Sequence, residues 1–152
     1  INFDGPKCAC GNTGCLELYA SIPKIVLQAK NAIALGMHST LGKLETIEWT
    51  DIIRAAGSGD TLALNLMDRL CMYISIGLVS LSNIFDPQII YLGHDIALAG
   101  DLAVKRLEAY FKDRAICSRH KNIQLEISAF GEKAPVVGSA AIVFDRLFSG
   151  KI

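Results

Sequence analysis

The segment CACGNTGCLE, residues 8–17, places three cysteines, two glycines and a carboxylate within ten positions. Thiolates are soft ligands that favour Zn²⁺, which they bind tetrahedrally at about 2.3 Å. A tight loop through Cys8, Cys10 and Cys15 can wrap one such ion. The spacing therefore predicts a zinc site, and a chance cluster of reduced thiols or a redox loop are the alternatives.

Three sulfurs leave a fourth coordination position to fill. The histidines His38, His94 and His120 are all distant from the loop in sequence, although folding could bring one near. Gly11 and Gly14 suit a loop this tight because glycine adopts backbone angles that side chains resist. The sequence thus predicts the shape of the loop but does not identify its fourth ligand.

Composition and charge indicate a folded domain without a strong electrostatic field. The chain has 152 residues, of which 51% are hydrophobic and 20% charged, enough for one compact domain. Fifteen basic residues balance fifteen acidic ones, so no broad positive surface is expected to attract nucleic acid. Because the chain begins at Ile1 rather than Met, we expect it to be part of a longer protein.

We also expect a cytoplasmic protein that makes no contact with membranes. No apolar run approaches the ~20 residues needed to cross a bilayer, and no signal peptide is evident. Cysteines in the cytoplasm stay reduced, which favours metal binding over disulfides in the cluster. The isolated Cys71 and Cys117 are predicted to be small buried apolar residues.

Hydrophobic periodicity predicts alternating helices and strands, which is the α/β class. The first predicted helix follows Ser21 as its cap, has Pro23 in its first turn and ends at Gly36. A short helix covers TDIIRAA, and a long one runs from Asp60 to about Phe85. The later elements are a strand at 88–93, a helix at 101–114, a strand at 122–128 and a helix at 134–148.

Several packing expectations follow from these patterns. The second half of the long helix is apolar nearly all round, so it should be packed on more than one side. The run QIIYLG should form a buried strand, whereas NIQLEIS alternates and should be half-buried. In the last helix, Gly138 and Ala140 should permit close packing against a neighbour.

Three segments together resemble the ROK family, named for repressors, open reading frames and sugar kinases. CACGNTGCLE resembles the family signature C-x-C-G-x-x-G-C-x-E. NIFDPQIIYLGHDIALAGD is similar to its Asn-x-x-x-Pro-x-x-Ile-x-x-Gly-Gly segment, and GEKAPVVGSAA resembles its closing stretch. The resemblance covers essentially all 152 residues and corresponds to the second half of a family member, closest to its transcriptional regulators.

This resemblance implies an actin-like, ribonuclease-H-like α/β fold with a sugar site between two lobes. Residues 1–20 would form the zinc loop and residues 21–152 the C-terminal lobe, with the N-terminal lobe and any DNA-binding domain missing. The family's zinc ligands correspond to Cys8, Cys10 and Cys15, and to a histidine upstream of Ile1.

The family's sugar-contacting glutamate corresponds to Glu17. The alternative, read from the residues alone, is that Glu17 is a first-turn carboxylate that the helix dipole favours.

The resemblance leaves two activities open, repression and phosphoryl transfer to a sugar from ATP. Kinases of the family carry glycines after the Ile-x-x-Gly strand, where Gly93 is followed here by His94 and Asp95. Asp95 would repel phosphates, unless both side chains simply point to solvent in a turn. Gly93 and Gly138 would be nucleotide-binding positions only in a kinase.

We therefore expect a sugar-responsive repressor, with an ATP-dependent sugar kinase as the alternative. The family's catalytic aspartate lies in the N-terminal half, so no catalytic residue is expected in this chain. DNA would be bound only through a missing N-terminal domain. A homo-oligomer is expected, and a bare assembly module is the third hypothesis.

Overall fold

Helices and two parallel strands make up residues 1–114 and 123–150, the part of the chain that the computed structural model describes. The α-helices are α1 (Glu17–Ala20), α2 (Ile22–Ala34), α3 (Trp49–Gly57), α4 (Thr61–Phe85), α5 (Asp101–Arg114) and α6 (Ala134–Phe148). The strands are β1 (Ile89–Leu92) and β2 (Gln124–Ile127), and short 3-10 helices occur at Thr40–Lys43, His94–Ala99 and Gly131–Lys133. The predicted α/β order is confirmed, whereas α1 and the short 3-10 helices were not predicted.

The long helix α4 forms the centre of the packing. It contacts α1, α2, α3 and α5. Its N-terminal half buries a continuous apolar stripe that includes Leu66, Met67, Leu70 and Cys71. This stripe agrees with the sequence prediction, and Cys71 is confirmed as a buried, unpaired thiol. The other isolated cysteine, Cys117, lies outside the described residues.

The prediction that the second half of α4 is packed on more than one side is confirmed except in its last turn. Ser75, Leu78 and Ser82 are buried, but Ile84 and Phe85 are each 72% exposed. Tyr73 and Gly77, on the opposite side of the helix from these residues, face α1, so α4 is covered on two sides before its last turn.

By length and composition α4 could also cross a membrane, because Asp68 and Arg69 are its only charges. The expectation that no segment reaches such a length is wrong by that criterion. In the structure, 44% of the apolar window is buried among other elements, and a core helix has the same composition.

The two strands form a parallel pair in which Ile89 is opposite Gln124 and Leu92 is opposite Ile127. Parallel strands need a crossover connection, and α5 lies in it. In β2 the predicted alternation is confirmed, since Leu125 is buried between exposed neighbours. In β1 only Leu92 is buried, so the prediction of a buried strand is wrong; one face of the pair is left uncovered.

Helix α6 is the least packed element in the described residues. None of its residues is buried, although it is apolar on most of its circumference. No atom lies within 4 Å of where a Cβ of Gly138 would be. The close packing expected at Gly138 and Ala140 is therefore not found.

The ends of α2 agree only in part with the predicted signals. Pro23 lies in the first turn, and Gly36 follows the last turn with a φ of +85°. Ser21 precedes the helix, but its hydroxyl makes no capping hydrogen bond. Instead its carbonyl oxygen accepts a hydrogen bond from the Ile25 amide at 3.1 Å, so the predicted side-chain cap is wrong.

One carboxylate, that of Asp60, fastens the segment before α3 to the start of α4. Its oxygens accept hydrogen bonds from the Ser39 hydroxyl at 3.0 Å, the Thr40 amide at 2.7 Å and the Thr40 hydroxyl at 2.9 Å. The Ala63 amide donates a further bond at 3.1 Å, which caps α4. Burial raises the pKa of Asp60, but these hydrogen bonds lower it by more, so the net pKa falls.

We expect Asp60→Asn to lower the free energy of unfolding at pH 7 by about 1–2 kcal/mol, because it weakens a helix cap and several charge-assisted hydrogen bonds. A carboxyl group with a lowered pKa stabilises the fold above its unfolded pKa of about 3.9 and loses that contribution as the pH falls through its folded value. The difference between the two proteins should therefore shrink below about pH 4. Denaturant unfolding followed by circular dichroism at several pH values measures it.

The exposed Asp145 provides the control for this experiment, because its side chain caps no helix. Asp145→Asn should leave the free energy of unfolding within about 0.5 kcal/mol of the parent value. Equal stability of the Asp60→Asn variant and the parent at pH 7 would contradict the role assigned to Asp60.

Candidate functional site

The three clustered cysteines meet in the structure. One sulfur atom from each of Cys8, Cys10 and Cys15 lies within 4.8 Å of the others, and the Cys10 and Cys15 sulfurs are 3.5 Å apart. Sulfurs bound tetrahedrally to one Zn²⁺ at about 2.3 Å would be about 3.8 Å apart. The thiols are thus close to the spacing that one shared ion requires.

Backbone hydrogen bonds hold the loop in this conformation. The Cys8 amide donates to the Asn12 carbonyl at 2.8 Å, and the Gly11 amide donates to the Cys8 carbonyl at 3.0 Å. Gly11 and Gly14 have φ values of +90° and +59°, as predicted. At Gly14 a side chain would also overlap the carbonyl oxygen of Asn2. Both the positive φ and this lack of space therefore require glycine at the position.

The thiols influence each other's ionisation. Hydrogen bonding to Cys10 and Cys8 raises the pKa of the Cys15 thiol to about 11. For Cys10, a backbone hydrogen bond from Asn12 and the bonds to the other two thiols lower the pKa. Binding a cation requires thiolates and releases their protons, so metal affinity at this cluster should rise with pH.

Glu17 opens α1 two residues after Cys15, and its side chain is exposed. An exposed carboxylate at this place is available to a ligand, and the first turn is also where the helix dipole favours it. Both interpretations made from the sequence are compatible with this position.

Contacts to α4 fix the orientation of α1 and of the loop before it. The rings of Tyr19 and Tyr73 lie 4.9 Å apart between centroids, and the side-chain Nδ2 of Asn2 donates to the Tyr19 hydroxyl at 3.2 Å. At Gly77 an added Cβ would lie only 3.0 Å from the Leu16 side chain. The sequence analysis missed these residues, because nothing in the spacing of two tyrosines or of a helical glycine indicates a contact.

Of the two glycines predicted to face a nucleotide in a kinase, Gly93 lies at the carboxyl end of β1 and Gly138 lies within α6. Gly93 follows β1 beside Ser128 and Ala134, since a Cβ there would be 3.9 and 3.8 Å from their Cβ atoms. Gly138 lies one turn further along α6 and is exposed. The structure thus places Gly93 against the start of α6, but it gives Gly138 no contact with it.

His94 and Asp95 form a defined turn after Gly93. His94 has a φ of +58°, and its Nδ1 lies 3.2 Å from the Asp95 carboxylate. The Trp49 indole nitrogen donates to the Asp95 carbonyl oxygen at 2.8 Å, which ties this turn to α3. Trp49 is a second contact that the sequence analysis missed, although a buried tryptophan usually finds a partner for its N–H.

A family model described as the ROK family matches residues 1–146. The chain belongs to the ROK family. The resemblance found in the sequence is therefore confirmed, and with it the assignment to a family of mixed helix and strand architecture.

Both branches of the ROK family occur among the similar proteins. The chain is 32% identical over 146 residues to the xylose repressor of Bacillus subtilis (strain 168). The alignment covers 96% of the chain and 35% of the repressor. A solved ROK family transcriptional regulator, a homolog of E. coli MLC protein, superposes with a TM-score of 0.80 at 32% identity, over 88% of the chain and 34% of the regulator.

A solved ROK family glucokinase from Streptomyces griseus, in complex with glucose and AMPPNP, also gives a TM-score of 0.80, at 29% identity over 93% of the chain and 48% of the kinase. The chain spans between about a third and a half of the length of these relatives. Backbone similarity alone does not separate repressors from kinases.

The cysteine cluster predicts about one zinc ion per chain in the purified full-length protein. Cys10→Ser removes one of the three sulfurs, so it should reduce the bound zinc at least tenfold after dialysis against a weak chelator. Elemental analysis by mass spectrometry measures the zinc-to-protein ratio.

Cys71→Ala is the matched control for the metal measurement, because it removes a thiol that is buried in the core and distant from the loop in sequence. It should retain the zinc content of the parent protein. If Cys10→Ser retained it as well, the cluster would not be a metal site.

Proposed function

We propose that the chain is the C-terminal, sugar-sensing portion of a ROK-family transcriptional repressor. In this proposal residues 1–20 form a zinc-binding loop and residues 21–152 the C-terminal lobe of an actin-like fold. The observation that carries it is the cysteine cluster followed directly by the exposed Glu17. The similarity to a xylose repressor and to a solved ROK regulator supports it.

Zinc in this proposal is structural. Cys8, Cys10 and Cys15 supply three ligands, and a histidine upstream of Ile1 supplies the fourth. The family resemblance places that histidine three positions before Ile1. Because the Ile1 nitrogen lies 2.8 Å from the Gly14 carbonyl oxygen, a residue three positions earlier is within about 10 Å of the loop. Bound zinc would fix the loop conformation and thereby the direction of α1.

Glu17 is proposed as a sugar contact. A carboxylate accepts hydrogen bonds from two neighbouring hydroxyl groups, and such charge-assisted bonds are the stronger kind. The tilted contact between the Tyr19 and Tyr73 rings holds α1 against α4, which would reduce the entropy lost when the sugar binds.

A second lobe is proposed to cover the apolar surfaces that this chain leaves open. Helix α6 has no buried residue, and Phe85 at the end of α4 is 72% exposed. A two-stranded sheet is also smaller than one that is stable on its own. The full-length protein would add the N-terminal lobe and a DNA-binding domain before Ile1.

Regulation would then be a population shift. Sugar binding between the lobes favours a closed arrangement, and the closed and open forms differ in their affinity for DNA. The protein would act in the cytoplasm as a homo-oligomer without membrane contact.

An ATP-dependent ROK sugar kinase is the alternative, supported by the equal TM-score of the Streptomyces griseus glucokinase. Gly93 and Gly138 would then be the nucleotide-facing positions. The repressor is favoured because His94 and Asp95 occupy the turn after β1, where their side chains would obstruct close approach of a phosphate to the backbone.

We expect Glu17→Ala in the full-length protein to weaken binding of its sugar by about 1–3 kcal/mol, because the sugar hydroxyls lose their charged acceptor. Isothermal titration with xylose and with glucose measures the dissociation constant. Glu45→Ala, which removes an exposed carboxylate from an irregular segment, is the control and should bind as the parent does. Unchanged affinity in Glu17→Ala would remove Glu17 from the site.

Repressor and kinase predict different results for the full-length protein. We expect sugar-dependent binding to its own promoter DNA in a mobility-shift assay, and no ADP release when ATP is added with glucose or xylose. ATP turnover that depends on either sugar would overturn the repressor and establish the kinase.

A further inference from the structure

The cysteine loop, residues 8–15, has a second property besides its fit to one ion, which is the contact between two of its sulfur atoms. The Cys10 and Cys15 sulfurs are 3.5 Å apart and in hydrogen-bond contact, whereas the Cys8 sulfur lies within 4.8 Å of them. A disulfide has an S–S bond of about 2.05 Å, so this pair needs to approach by only about 1.5 Å to form one.

The two sulfurs of this pair differ in their access to solvent. Cys10 is exposed, whereas Cys8 and Cys15 are half-buried. Oxidation of a cysteine depends on thiolate character and on exposure, because the oxidant must reach the sulfur. Cys10 is therefore the sulfur that an oxidant in solution reaches first, and Cys15 is the neighbour that can react with the product.

The segment between the two cysteines permits this approach. Four residues separate Cys10 from Cys15, and the first and last of them are glycines with positive φ. No atom lies within 4 Å of where a Cβ of Gly11 would be, whereas Gly14 packs closely against Asn2. The Cys10 end of the segment thus has space to move, while the Cys15 end is held in place.

We propose that the cysteine loop is a peroxide-sensitive thiol switch, in which Cys10 and Cys15 form a reversible disulfide and the loop releases its zinc ion. The inference rests on the proposed function and assigns a mode of regulation to the same site. Disulfides in the cytoplasm are usually transient and redox-sensing, which is the behaviour expected of this loop.

One molecule of hydrogen peroxide accounts for the reaction in two steps. The Cys10 thiolate attacks the peroxide, the O–O bond breaks, and a sulfenic acid and a hydroxide ion form. The Cys15 thiolate then attacks the Cys10 sulfur, the S–O bond breaks, and a second hydroxide ion leaves as the disulfide forms. The two thiolates lose two electrons, which the peroxide gains. Of the three sulfur ligands only Cys8 is left, so the loop no longer holds Zn²⁺ tightly.

Oxidation also changes the residue from which α1 begins. The Cys15 carbonyl oxygen accepts a hydrogen bond from the Leu18 amide at 3.1 Å, and Glu17 lies between these two residues in the chain. Loss of zinc together with movement of Cys15 therefore changes the direction of the Glu17 carboxylate. The oxidised protein is expected to bind its sugar more weakly than the reduced, zinc-loaded protein.

Peroxide treatment of the full-length, zinc-loaded protein tests the switch. Hydrogen peroxide should release about one zinc ion per chain, which a chromogenic zinc indicator measures. Differential alkylation followed by tandem mass spectrometry should find Cys10 linked to Cys15 and Cys8 as a free thiol. Dithiothreitol followed by added zinc should restore the original state. Zinc that is retained, or released without this disulfide, would overturn the proposal.

Single substitutions in the metal-free, full-length protein test the pairing. Cys8→Ser keeps both members of the pair and should form the disulfide, whereas Cys10→Ser should form none within the loop. Cys15→Ser should accumulate a sulfenic acid at Cys10, which a 1,3-diketone reagent traps. Cys71→Ala is the matched control, since its thiol is buried in the core, and it should react as the parent does. A disulfide that includes Cys8 would overturn the assigned pairing.

The affinity for sugar connects the switch to the proposed function. Isothermal titration with xylose and with glucose should show binding at least about tenfold weaker in the oxidised protein than in the reduced, zinc-loaded one. Equal affinities would overturn the switch. A protein that binds zinc and sugar but forms no disulfide would overturn the switch alone. A protein that forms the disulfide but never holds zinc would contradict the proposed function while supporting the pairing, so the two failures are distinguishable.

Discussion

The burial of α4 is the constraint on which the other elements depend. This 25-residue helix contacts α1, α2, α3 and α5, and its N-terminal half supplies the largest share of the core. A helix so apolar is stable in water only when neighbours cover it. The positions of the cysteine loop and of the turn after β1 consequently depend on how the neighbouring helices α1 and α3 pack on α4.

A few side-chain contacts determine where the cysteine loop and the turn after β1 lie relative to the helices. Leu16 and Tyr19 hold the cysteine loop in place, because they pack against Gly77 and Tyr73 on α4. Trp49 holds the turn after β1 in place through one hydrogen bond from its indole nitrogen. These contacts are few and specific, so each segment has a defined direction even though its own residues are largely exposed.

The sequence was informative where a pattern repeats or where a position has one chemical solution. Helical periodicity located α4 and α5, and the two loop glycines were predicted because few other residues adopt positive φ. It was misleading about burial in β1 and α6, because an apolar run indicates that a surface prefers to be covered but does not indicate what covers it. The contacts of Trp49 and Tyr19 could not be predicted, since they join residues distant in sequence.

The parallel pairing of β1 with β2 affects the order in which the chain folds. Helices α1 to α4 all precede β1 in the chain and contact one another, whereas β1 finds its partner only after α5 and the segment beyond it have been made. During synthesis the helices can pack while β1 still has unpaired backbone groups and an exposed apolar face. Before β2 arrives, this unpaired strand is open to aggregation.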